Sequence, residues 1–209
     1  MDDSTARLLS ADLLVELDER LRHADAPITR FWRSGLSDDQ MDASTSAIGL
    51  SLSAEARVWW GWHDGVDVGA ARSQASLGPS WDVLSLEAAV QDTIAKRDLA
   101  ARAAAQGRHE PRDDWADSWI TLCGDVSHPR IACDCGVPPG APSTIHYFDP
   151  EFNDEPRRPK AASLGELVRL WIEALDDGTW QIDPAAGEFA SPDPNALVQA
   201  KGRDVADLL

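Results

Sequence analysis

The stretch that most restricts the fold is Ser53-Ala54-Glu55-Ala56-Arg57-Val58-Trp59-Trp60-Gly61-Trp62-His63-Asp64-Gly65, which places three of the nine tryptophans within four residues. It is predicted as a short helix with both ends written in. Ser53 can accept from the free N–H groups of the first turn, Glu55 suits the positive end of the helix dipole, and Gly65 can take the left-handed conformation that closes the last turn. Gly61 inside it costs about 1 kcal/mol relative to Ala, so packing has to hold the segment helical. Ala56, Trp59, Trp60 and His63 fall on one face, with Val58 and Trp62 on a flanking stripe. Each indole can bury about 150–250 Å², worth roughly 4–6 kcal/mol at about 25 cal/mol/Å² as an upper bound. Trp59 and Trp60 are expected in the core, as a post on which a sheet docks. Trp is seldom wholly buried, and Trp62 is the ring expected to stay partly open.

At 209 residues, 43% hydrophobic and 26% charged, the chain suits one sizeable domain with extensions. No apolar run approaches the roughly 18 residues of a membrane span. Met1-Asp2-Asp3-Ser4 is acidic where a secretory leader needs basic residues, so the expected compartment is the cytoplasm. Three cysteines, with Cys133 and Cys135 one residue apart, make a poor disulfide framework and fit a reducing compartment as small buried hydrophobes. The formal net charge of -17 repels nucleic acid and anionic membrane, and neither is an expected partner. The charge is uneven. Residues 113–156 carry nine acids (Asp113, Asp114, Asp117, Asp125, Asp134, Asp149, Glu151, Asp154 and Glu155) against Arg130 alone, whereas 65–112 balance at six and six. Such a surface keeps a protein soluble or steers a basic partner.

Along the chain, Ser10 can cap a helix whose Leu13, Leu14, Leu17 and Leu21 repeat at helical spacing up to about Ala24. A connector follows from Ile28 to Leu36. Ser37-Asp38-Asp39-Gln40 is a capping box opening a weakly apolar helix with Met41, Ser44, Thr45 and Ile48 on one side and Gly49 at its end. From Val66 to Ser80 only strand pieces are expected. Ser85-Leu86-Glu87 starts a long helix with Leu86, Ala89, Val90, Ile94 and Leu99 inward, running to about Gln106. Three strand-like runs, 119–123, 130–135 and 144–148, read as a meander. Ser163-Leu164-Gly165-Glu166 is a second capping box, followed by Leu164, Leu167, Val168, Trp171, Ile172 and Leu175 at helical spacing and closed by Gly178. Thr179 to Ile182 can add a last strand before Pro184, and Leu197 to Leu209 can form a short amphipathic helix. The segments divide as 1–36, an N-terminal helix and connector; 37–183, an α+β domain; and 184–209, a C-terminal extension.

Gly49-Leu50-Ser51-Leu52-Ser53, the helix ending in Trp62-His63-Asp64-Gly65, the start Ser85-Leu86-Glu87-Ala88-Ala89, the strand pair ending in Cys133-Asp134-Cys135, and Ala162-Ser163-Leu164 with Trp171 and Gly178 resemble, in their order, the SUKH superfamily. The resemblance runs from about Ser37 to Ile182. The family often has Leu-Pro where this chain has Leu52-Ser53, and Ser caps equally well. The resemblance implies an α+β domain with a mixed, largely antiparallel sheet flanked by helices, and no enzyme activity. It also implies a binding role: bacterial members are mostly regarded as immunity proteins that neutralise toxins, and fungal members as regulatory interaction modules.

Enzyme tools are sparse. There is no G-x-S-x-G elbow, phosphate loop or G-x-G-x-x-G run. The best metal set is Cys123, Cys133, Cys135 and His128, but one-residue cysteine spacing within a strand serves a tetrahedral ion badly. No spacing places a thiol beside His63, His128 or His146, and His63 and Asp64 point about 100° apart on a helix. No catalytic residue, cofactor or metal is therefore assigned. The expected function is a cytoplasmic protein of the immunity type that binds and blocks a protein partner, a basic toxin domain of the nuclease type. The acids Asp113, Asp114, Asp117, Asp149, Glu151, Asp154 and Glu155 would steer it, with Trp62 and Trp115 as aromatic anchors. The alternatives are a regulatory scaffold for an endogenous partner and a small metal- or thiol-dependent enzyme.

Overall fold

The protein is described by a computed structural model over residues 8–67, 69, 75–79, 81–108, 115–124, 129–149 and 158–190. Helix α1 (Ala11–His23) starts where Ser10 accepts from the Leu13 N–H, and buries Leu13, Leu14, Leu17 and Leu21. A 3-10 turn (Pro27–Arg30) leads into the connector. Helix α2 (Asp38–Ser46) opens with a complete capping box, the Ser37 hydroxyl and Gln40 amide oxygen each satisfying a free N–H, and turns only Met41 and Thr45 inward.

Helix α3 (Ala54–Trp62) carries the tryptophans, and Ser53 caps it by accepting from the Ala56 N–H. Its end differs from the expectation. His63 is already extended, so Gly65 does not close the helix. Gly65 does have φ +69°, and a Cβ there would lie 2.5 Å from the Ser85 nitrogen, so glycine is required for close approach to the next helix. Asp64 serves that next helix rather than its own: Oδ1 accepts from the Leu86 N–H at 2.7 Å, and Oδ2 pairs with Arg33 at 3.0 Å.

Between 66 and 85 the strand pieces are β1 (Ser76–Leu77) and β2 (Trp81–Asp82), an antiparallel pair. Helix α4 (Leu86–Ala105) turns Leu86, Ala89, Val90, Thr93 and Ala103 inward. Leu99, expected inward, is 38% exposed. The buried stripe passes through Ala100 and Ala103 instead, which leaves the neighbouring position about 100° away and facing out.

The three runs after α4 form the expected meander: β3 (Trp119–Cys123), β4 (Arg130–Asp134) and β5 (Ile145–Phe148), antiparallel throughout, with Ile120 opposite Cys133, Cys133 opposite Ile145, and an irregularity between Thr121 and Cys123. The fold is α+β. Both faces of the sheet are covered, so the strands read as nearly continuous buried runs. Ile120, Leu122, Ile131, Cys133 and Ile145 join the main core with Trp59 and Trp60, while Trp119, Ala132 and Phe148 form a second cluster with Trp115 and Ala100. A strand alternates its side chains between faces, so a doubly covered sheet needs two apolar sets.

Helix α5 (Leu164–Asp176) packs on α1, and Leu14, Leu17 and Leu21 share one core with Trp59, Leu167 and Trp171. Only half of its expected capping box forms: Ser163 accepts from Glu166 N–H, but the Glu166 carboxylate returns to the Ala162 N–H. The last strand also lies later than expected. Ile182–Asp183 (β6) pairs with Glu188–Phe189 (β7), and Trp180 stays outside the ladder because its ring is driven against Trp171 at 6.1 Å. Gly78 makes room for it, since a Cβ there would sit 2.4 Å from the Trp180 ring. Rings thus form a row through the core: Trp62 to Trp59 at 5.7 Å, Trp59 to Trp171 at 6.0 Å, then Trp180, and Trp180 to Phe189 at 5.8 Å. Among the described residues, no helix is long and apolar enough to cross a membrane.

Trp60 is wholly buried and donates its indole N–H to the Leu84 carbonyl. Trp60→Ala should therefore lower unfolding free energy by about 3–5 kcal/mol in urea titration. An unchanged midpoint would remove Trp60 as a core anchor.

Candidate functional site

The site is built on α3, whose two ends do different work. At its start, Glu55 is 2% exposed, yet its carboxylate is fully engaged. Oε1 accepts from Leu9 N–H at 2.7 Å and Gly165 N–H at 3.0 Å, and Oε2 from Ser143 N–H at 2.6 Å. These donors lie 46, 110 and 88 positions away in sequence. Gly165 belongs to the first turn of α5, so the carboxylate also occupies the positive end of that helix dipole. The composition around Glu55 reads as a helix start, and this second role has no local sequence signal.

At the other end of α3, the connector 31–36 returns alongside the helix. Leu36 N–H donates to Trp60 O at 2.9 Å, and Arg33 N–H to Gly65 O at 3.1 Å. Gly35 permits the approach, because a Cβ on it would fall 1.9 Å from the Gly61 carbonyl oxygen. This brings Trp32 against the end of α3. The Trp32 ring stacks on His63 at 4.8 Å with an interplanar angle of 10°, and meets Trp62 at 5.0 Å. Trp62 and His63 lie 4.4 Å apart. All three rings are half-buried. His63 thus leaves the α3 face expected for it and closes a triangle of mutually contacting rings with the two indoles.

His63 Nδ1 lies 2.9 Å from the Arg33 carbonyl oxygen. That oxygen can only accept, so Nδ1 carries the hydrogen in the neutral ring. Burial lowers the His63 pKa; Arg22 lowers it further, while the Arg33 hydrogen bond and Asp18 act in the opposite direction. Asp18 and Arg22 form an ion pair at 2.7 Å on α1, and Val15, one turn before Asp18, is 53% exposed. Trp32, Trp62 and His63 make an aromatic face, with the Asp18–Arg22 ion pair within electrostatic reach of the imidazole.

The other expected site residues are distributed differently. Trp115 is not an exposed anchor: it is 5% exposed and packs edge-on against Trp119 at 5.5 Å and Phe148 at 5.3 Å. The second face of the sheet needs a cover beyond the reach of α4, and Trp115 supplies it. Asp149 is 9% exposed and accepts from the Tyr147 hydroxyl at 3.3 Å, which removes it from the surface set. Asp117 is exposed, with its backbone carbonyl accepting from Arg97. Asp113, Asp114, Glu151, Asp154 and Glu155 lie outside the described residues.

Arg130, the single base of the acidic stretch, is 1% exposed and pairs with Asp92 at 2.9 Å, while the Thr121 hydroxyl donates to the same carboxylate at 2.7 Å. It is turned into the α4–sheet layer and gives the surface no positive charge. Lys96, one turn on from Asp92, lies 5.1 Å over the Phe148 ring, and burial, then Arg130, lowers its pKa. Sequence reading missed this group; Asp92 and Lys96 at i, i+4 on the inward stripe of α4 are the signal that was present.

His146 is buried, stacked on Trp119 at 4.1 Å with Nε2 3.1 Å from the Thr144 hydroxyl. Among the described residues, no three His, Cys, Asp or Glu side chains are grouped to hold a metal ion, and His128 lies outside them. Comparison with models of known protein families finds no match, and comparison with curated proteins finds none at the level required.

Glu55→Gln keeps the shape but places an amide N–H₂ against a backbone N–H, and should cost about 2–4 kcal/mol of stability in urea titration. A cost below that of an ordinary surface substitution would contradict the carboxylate's role. Because the folded-state His63 pKa lies below its ordinary value of 6.5, the unfolded chain takes up this proton first as pH falls. The His63 contribution is present above that pH and is lost as pH drops below it. His63→Gln should flatten the stability profile between about pH 7 and pH 5. Parallel profiles for the two proteins would show that the imidazole is not held neutral by its site.

Proposed function

We propose that the chain is a non-enzymatic cytoplasmic protein-binding module of the immunity type, which neutralises a toxin domain with a basic surface. One observation carries the reading: Trp32 and Trp62 stay half-open beside His63 on a chain of net charge -17 that buries its seven other indoles. Half-open indoles bring large, rigid contact area at low entropic cost, which is why such rings dominate interface energetics. The negative field draws in a basic partner and speeds encounter. Nuclease toxins are basic because they grip phosphate, so an acidic surface competes for the groups they use on nucleic acid. The resemblance of the ordered landmarks to the SUKH superfamily supports the same reading, since immunity is the role it implies for a bacterial member.

In this arrangement a partner side chain closes over the Trp32–Trp62 edge, with Arg33, Asp18 and Arg22 on the rim. The test is co-expression of the chain with each toxin domain encoded in its source genome. Growth should be rescued from one of them. Trp62→Ala should abolish that rescue while leaving the far-ultraviolet circular dichroism unchanged. With the purified pair, the association rate should fall at least about tenfold between roughly 0.05 and 0.5 M salt. Rescue from none of the domains, or an association rate flat with salt, would overturn the proposal.

A further inference from the structure

Helix α4 holds a lysine that has no carboxylate of its own among the described residues. Lys96 lies between Thr93 and Ala100 on the inward stripe and is half-buried, on the opposite side of the sheet from α3 and the proposed docking face. An aspartate one turn before a lysine on a helix ordinarily pairs with it. Here that aspartate, Asp92, is already engaged. Its Oδ1 accepts from Arg130 Nη2 at 2.9 Å and Nε at 3.2 Å, and its Oδ2 from the Thr121 hydroxyl at 2.7 Å. The Lys96 ammonium lies instead 5.1 Å over the Phe148 ring, and Phe148 stands directly opposite Arg130 across β4 and β5. Among the described residues, Lys96 makes no hydrogen bond and no ion pair.

Two cations thus share one carboxylate inside the α4–sheet layer. An aromatic face attracts an ammonium but supplies neither hydrogen bonds nor a countercharge, so the site favours losing the positive charge. Burial, then Arg130, moves the Lys96 pKa down, and Asp92 acts against them. The other ionisable groups on that face of the sheet are engaged elsewhere: His146 stacks on Trp119 at 4.1 Å, and Asp134 accepts from Gly136 N–H at 2.8 Å. A neutral lysine is a nucleophile, and desolvation beside a second cation is an ordinary way to make one. Half-burial leaves its end within reach of a small reagent and closes it to a bulky one.

We propose that Lys96 is an acyl-acceptor site, modified by small acyl phosphates. Such a reagent is compact and carries its own leaving group. The neutral Nζ attacks the carbonyl carbon; the C–N bond forms, the C–O bond to phosphate breaks, inorganic phosphate leaves, and the nitrogen gives its extra proton to water. Nothing is oxidised or reduced. The product amide is neutral, so the like charge beside Arg130 is removed, and the acyl group extends the apolar cluster that contains Phe148.

The test incubates the native full chain with acetyl phosphate near neutral pH and maps acetyl-lysine against time by mass spectrometry. The chain has two other lysines, Lys160 and Lys201, which serve as internal references. Lys96 should be acetylated at least about fivefold faster than either. In urea that unfolds the chain, the three rates should fall within about twofold of one another, because the layer that holds Lys96 is gone. Lys96→Arg should lose the fast site and keep the far-ultraviolet circular dichroism of the wild type. Acetylation of Lys96 no faster than that of Lys160 or Lys201 in the native chain, or a preference that survives unchanged in urea, would overturn the proposal. Both of these readouts come from the wild-type chain, so a variant that fails to fold does not decide the outcome.

Discussion

The Glu55 carboxylate joins the segment before α1, the loop before β5 and the first turn of α5 to the start of α3. A carboxylate this deeply buried is costly unless its lone pairs are satisfied, so the three N–H donors and the acceptor hold one another in place. The donors gain equally: in an apolar interior, loop and helix-start N–H groups with no acceptor would each be a penalty. Because α3 is fixed at this end, its indoles are aimed at the sheet and its far end is carried to the surface with Trp62 and His63.

The sheet imposes a second constraint, since covering both faces requires two sets of large side chains. Six of the nine tryptophans become intelligible on that basis. Trp59, Trp60, Trp171 and Trp180 serve the α1–α3–α5 side, and Trp115 and Trp119 the α4 side. The α4 side also admits charge, but only in closed form: Arg130 with Asp92 and Thr121, and Lys96 over an aromatic ring. The single positive charge of the acidic stretch is spent inside the fold against Asp92, as the Asp149 carboxylate is against Tyr147.

Helix positions were legible because their signals are local. Ser10, Ser37, Ser53, Ser85 and Ser163 each cap the helix that follows, and the inward residues of α1 and α5 follow their 3.6-residue period. The meander was legible from its β-branched and aromatic runs. What the sequence concealed depends on distant partners. Trp115 sits among acids and carries no periodicity, so its burial follows only from the sheet face above it. Asp64 reads as the end of α3 and proves to be the start of α4. Thr179 to Ile182 has strand composition, yet the space left by Gly78 draws Trp180 out of the ladder. The candidate face was half legible: Trp62 was marked by its stripe, whereas Trp32 joins it through a connector with no regular pattern.

The row of rings from Trp62 through Trp59, Trp171 and Trp180 has a consequence for light. Indoles in near contact exchange excitation before they emit, so absorbed energy migrates along the row toward its lowest-energy ring. Emission is then a shared property of the interior and the half-open end. A collisional quencher that reaches Trp62 therefore also removes whatever share of the buried rings' excitation has migrated to it.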